Sequence, residues 1–188
     1  MRLTLENGVL RDLHRRLHID LPGVEPSDDT RRSLVLNAGH TVFPEAAVQG
    51  LPDTARAELT AGLTGPLRHA IAAADPSDSA LPGLRDQLVE HLTGDPGRLG
   101  AITLADRVHL ARLIRGDVPP ILAVGCLLWY GTYRTDHDPD AAVLRALFEL
   151  RDTWLNQPQD RPDLDQAMTD HATSILGDHP EDPLTVTV

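Results

Sequence analysis

The chain contains no lysine; all 17 of its basic side chains are arginine. The codon bias of a GC-rich genome explains this, since Ala, Gly, Pro and Asp are plentiful too, and a chain-wide absence marks no site. Cysteine occurs once, as Cys126, which excludes an internal disulfide framework and fits a reducing compartment. Aromatics are also scarce: two Trp, two Tyr and two Phe in 188 residues. There is no apolar run of the ~20 residues needed to span a bilayer. The nearest approach, the uncharged stretch from Val118 to Tyr133, is shorter and is interrupted by prolines and Gly. The N-terminal Met1-Arg2-Leu3-Thr4-Leu5-Glu6 reaches an acid at once and does not read as a signal peptide. The expectation is a soluble, cytoplasmic protein.

The charge that is present is mostly acidic, with a formal net value of −11. Such a chain repels phosphate backbones. Its densest basic cluster is Arg11, Arg15 and Arg16, with Arg31 and Arg32 behind it. Asp12, Asp20, Asp28 and Asp29 lie among these arginines, so no nucleic-acid partner is expected. The acidic charge is spread along the chain and forms no block that would mimic DNA or capture a basic tail.

Hydrophobic periodicity and Pro/Gly punctuation give a succession of helices. The first spans Gly8 to Ile19, and a shorter one lies between Ser27 and Gly39 with Ser27 as N-cap. A turn opens at Phe43. Asp53 is read as the cap of a helix to Leu63, and Gly65-Pro66 starts a companion running to Ala74. Helices follow over Leu81–Leu92, from a cap at Thr103 to Gly116, and over Pro119–Tyr133, Pro139–Leu155 and Pro162–Leu176. The tail from Pro183 to Val188 alternates Thr and Val like a strand but has no evident partner, leaving an extended or disordered end. The fold class is therefore all-α, a multi-helix bundle or short array of about seven to eight helices. Residues 1–74 form an N-terminal helical half, 75–80 a linker-like loop, 81–177 a C-terminal helical core and 178–188 a tail, with a single domain as the alternative. The N-terminal half, richer in Ala, Gly and Pro, is expected to pack less firmly and to become ordered against a partner or a second copy.

Five of the six aromatics lie between Trp129 and Trp154, so the best core is placed there. On the helix 139–155, Val143, Leu144, Leu147, Phe148, Leu150, Trp154 and Leu155 share one face at about 100° per residue. Arg151 falls inside that apolar arc. A guanidinium there must reach water or pair with a carboxylate, because a buried unpaired charge costs several kcal/mol, roughly. Its alternative role is to anchor an anion in a pocket lined by Trp129, Tyr130 and Tyr133.

The other candidates carry less. Asp136-His137-Asp138-Pro139-Asp140 begins like a calcium loop, but Ala141 stands where Gly is needed and Leu147 where a bidentate Glu is needed. Asp138 as N-cap and Pro139 at N1 explain it. His14 and His18, one turn apart, have metal-binding spacing but no third ligand nearby, so they read as a partly buried structural pair. No metal or cofactor is expected. Nucleophile elbows, phosphate loops and di-iron signatures are absent, and Cys126 lies in an uncharged helix that favours its thiol form. Two functions remain. The first is a non-catalytic protein–protein interaction module, docking another protein or itself as a homo-oligomer. The second is a small-molecule enzyme or binder built around Arg151.

Overall fold

The computed structural model describes residues 33–40, 48–131, 140–177 and 183–188. Among these residues the chain is helical, without a strand, as the periodicity requires. The helices are α1 (Leu34–His40), α2 (Leu51–Thr60), α3 (Pro66–Ala73), α4 (Leu81–Thr93), α5 (Arg98–Ile114), α6 (Pro120–Gly131), α7 (Asp140–Asn156) and α8 (Arg161–Leu176). Short 3-10 turns precede α2 and α8, at Val48–Gly50 and Pro158–Asp160. The helix expected over Gly8–Ile19, the Ser27 cap, the Phe43 turn and the Asp138 cap all lie outside the described residues.

Sequence sets most of the boundaries. Proline occupies the first turn of α2, α3, α4 and α8, where its missing N–H has no helical partner to lose. Gly94 ends α4 in the left-handed region (φ 78°), its N–H bonded to the Glu90 carbonyl. Two expected caps are corrected. Gly50 precedes α2, and Asp53 lies in its first turn, paired with Arg56 at 2.6 Å. Helix α5 starts at Arg98 rather than after Thr103. The Asp95 carboxylate accepts the Gly97 N–H at 2.7 Å, a side-chain turn that launches the helix six residues earlier.

The described residues divide into two compact units. The first comprises residues 109–177. Helix α6 is its centre: Ile121, Leu122, Ala123, Val124, Cys126 and Leu127 are all buried, so α6 is covered on every side over this stretch. Leu144, Leu147 and Trp154 of α7, and Met168 and Ala172 of α8, complete the core. Helix α7 packs on α6 and on α8.

The second unit holds residues 33–108 and the tail 183–188. Helices α2 and α3 form a hairpin, α1 packs on α2 and α4, and α3 packs on α4. Leu34, Val35, Leu51, Ile71, Leu81 and Leu88 are buried. The segment 75–80 joins α3 to α4 inside this unit. It is a hydrogen-bonded turn in which the Asp75 carboxylate accepts from the Ser77 N–H at 2.8 Å. The Ser77 hydrogen bonds hold the Asp75 carboxyl below its usual range.

Residues 183–188 form no strand, but they are hydrogen-bonded to the rest of the unit. The Val188 N–H donates to the Thr64 carbonyl, and the Val188 carbonyl accepts from the Arg68 N–H, both at 3.3 Å. The missing partner was the α2–α3 turn.

Candidate functional site

Helical geometry directs attention to Arg151, and the side chain is buried, at 7 % relative exposure. Its Nη1 pairs at 2.8 Å with Asp152, the next residue, whose carboxylate is 69 % exposed. The guanidinium therefore sits beneath the surface with its counter-ion in water. Arg151 Nε is buried and makes no hydrogen bond among the described residues. Trp129 and Tyr130 belong to α6, but their side chains, and all of Tyr133, lie outside the described residues. So do His14 and His18.

One turn beyond Arg151 is a constellation that sequence reading missed. Trp154 is buried between α7 and α8. The Arg161 guanidinium lies over its ring at 3.9 Å from the centroid, and Arg161 Nε donates to the Trp154 carbonyl at 3.4 Å. Asp165, one turn along α8 from Arg161, faces the indole N–H without good hydrogen-bond geometry. Burial raises the Asp165 carboxyl above its ordinary value, and the indole N–H and the Arg161 charge partly offset this. The available signal was the i,i+4 spacing of Arg161 and Asp165 at the start of α8. Nothing in it identifies Trp154 as their common neighbour.

The second unit holds a more complete arrangement. Arg68, on α3, is wholly buried. Its Nε donates to Glu58 Oε2 at 2.8 Å, its Nη1 to the Thr64 carbonyl at 2.6 Å and its Nη2 to the Val186 carbonyl at 3.2 Å. The other Glu58 oxygen accepts the Leu34 N–H at the start of α1, at 2.7 Å. One ion pair thus joins α1, α2, the α2–α3 turn, α3 and the tail. A charge pair out of water needs this degree of hydrogen bonding to offset its desolvation. At the far end of α3, Arg56 donates to the carbonyls of Ala72 (2.9 Å) and Ala74 (3.4 Å), capping the helix with a cation.

Gly65 makes the tail's approach possible. Its φ of +143° is one that side-chain-bearing residues rarely adopt, and a Cβ there would lie 1.7 Å from the Val188 carbonyl oxygen. The Arg68 N–H that this carbonyl accepts belongs to the first turn of α3, where no side chain caps the helix. The tail supplies the cap.

Among the described residues no group of three or more His, Cys, Asp or Glu is placed to hold a metal ion, and no helix is long and apolar enough to cross a membrane. No protein-family model matches the chain, and neither a curated protein nor a solved structure matches it.

Proposed function

We propose that this chain is a non-catalytic helical protein–protein interaction module, an adaptor, regulator or assembly component. The observation that supports this reading is the use to which its buried charges are put. Glu58 and Arg68 are engaged with each other and with backbone, and Arg151 is engaged with Asp152. Asp106, His109 and Arg112, the other buried ionisable residues described, also take part in interactions. Enzymes hold charged groups ready for substrate in a cleft, usually with their proton affinities pushed apart. Here the most deeply buried charge pair, Glu58–Arg68, ties five segments of the chain together, which is what a scaffold requires.

The test is affinity capture from the native host with the full chain as bait, followed by rebinding of the purified partner. A protein retained in fixed stoichiometry, whose rebinding saturates, is the expected result. A second reading, a small-molecule binder, is favoured by the buried Arg151 Nε that lacks a hydrogen-bond acceptor among the described residues. An anionic metabolite that raises the melting temperature of the wild type but not of Arg151→Leu, with no protein captured, would replace the first reading by the second.

A further inference from the structure

The tail of the second unit is bound in the manner of a peptide ligand. Its three hydrogen bonds to Thr64 and Arg68 all run through tail main chain, from Val186 and Val188. Val188 is buried at 2 % exposure, Thr185 and Thr187 point to solvent, and Val186 is partly covered. That alternation is how an extended segment is read by a neighbouring backbone. The receiving site is held largely by its own unit. Glu58 and the Thr64 carbonyl fix the Arg68 guanidinium at 2.8 and 2.6 Å, and Gly65 leaves the space open. The bonds to the tail are longer, 3.2 to 3.3 Å. Release of the tail therefore leaves an Arg68 that is still paired, with one guanidinium N–H and the α3 amide ready for another carbonyl.

We propose that the Thr64–Gly65–Arg68 groove is an exchangeable docking site, filled by the chain's own 183–188 segment in the monomer and by that segment of a second copy in an assembled form. This rests on the interaction-module reading and gives it a partner. A second copy fits because it carries the one segment already seen to match the groove, so exchange needs no new contact. The tethered tail has an effective concentration on the order of millimolar, so its own groove wins in dilute solution and exchange emerges on crowding or assembly.

Two full-length variants test this by complementation. Val188→Asp keeps the groove and spoils the tail; Gly65→Val keeps the tail and blocks the groove. Mixed, they should form a 1:1 heterodimer in native mass spectrometry, whereas Gly65→Val mixed with the double variant should not. An acetylated, amidated peptide of residues 183–188, fluorescently labelled, should bind Val188→Asp saturably and bind the double variant at least about tenfold more weakly, a difference of about 1.4 kcal/mol. Circular dichroism establishes that each variant is folded. Should either fail to fold, wild-type chains in light and heavy isotope form provide the same test. At about 1 mM, comparable to the tethered tail, mixed dimers should appear and excess peptide should dissolve them. Absence of mixed dimers together with absence of peptide binding overturns the proposal. Dimers indifferent to the peptide overturn the groove while sparing the interaction-module reading. Peptide binding without dimers overturns the second copy as occupant and assigns the groove to another protein's extended segment.

Discussion

The unit built on α6–α8 and the unit built on α1–α4 both bury many aliphatic side chains, yet different interactions set their geometry. In the first, a helix apolar on every side is enclosed by the stripes of its neighbours, and the buried Arg151 pairs with an exposed carboxylate, Asp152. In the second, a wholly buried Arg68 and its Glu58 partner fix where five segments meet. Apolar packing tolerates substitution of similar volume. A hydrogen-bonded ion pair admits one arrangement and fails when either member is removed.

The sharpest way to test that contrast is Arg68→Leu. It strands Glu58 in a buried setting and releases the Val186 carbonyl, and should cost about 3–5 kcal/mol in denaturant unfolding. Adding Glu58→Leu should recover part of that loss; no recovery would mean that the pair's hydrogen bonds to backbone, not its charge, carry the effect. Leu147→Ala in the other unit should cost about 2–4 kcal/mol, and Leu147→Met under about 1.5 kcal/mol. An equal loss from Leu147→Met would show that the apolar core is as exacting as the ion pair. Arg151→Leu should be nearly neutral, within about 1 kcal/mol, because the carboxylate it leaves behind, Asp152, is already in water. A loss as large as that of Arg68→Leu would remove the distinction between the two arginines.

The smallest effect is expected from Asp165→Asn and depends on pH. Burial raises the folded-state pKa of Asp165 above its reference of 3.8, so the folded chain holds that proton to higher pH than the unfolded chain does. The charged form therefore lowers stability above the folded pKa, and this penalty fades as pH falls through that pKa towards 3.8. Asp165→Asn should gain a few tenths of a kcal/mol at neutral pH, roughly, given partial solvent screening, and lose the advantage in acid. Paired thermal melts across that range, showing a difference independent of pH, would contradict the assignment.

The elements most legible in sequence were those in which one physical rule acts alone. The apolar face of α7, the apolar helix α6 and the proline-led starts of α3, α4 and α8 follow from spacing and backbone sterics. Thr103 misled because a Thr before an apolar stripe resembles a cap, while the true start depends on Asp95 reaching over Pro96 to the Gly97 amide. The Glu58–Arg68 pair left a trace that could have been followed. Leu51, Ala55 and Glu58 fall at i, i+4 and i+7 on one face of α2, and Arg68 shares a face with Ile71 and Ala72 on α3. This is the angular argument that singled out Arg151. What sequence could not supply was the third participant, because Val186 is 118 residues from Arg68 and nothing local in the Thr-Val alternation names an α-helical turn as its neighbour.

That separation bears on how the protein is made. A ribosome adds roughly 5–20 residues each second. The α3 amide and the Arg68 guanidinium therefore wait on the order of ten seconds, the time needed to add the 118 residues from Arg68 on to Val186, for the carbonyls that complete them. Helices α6–α8, whose contacts are local, can assemble as they emerge. The earlier-synthesised unit is thus the later one to receive its last hydrogen bonds, once residues 183–188 have been made.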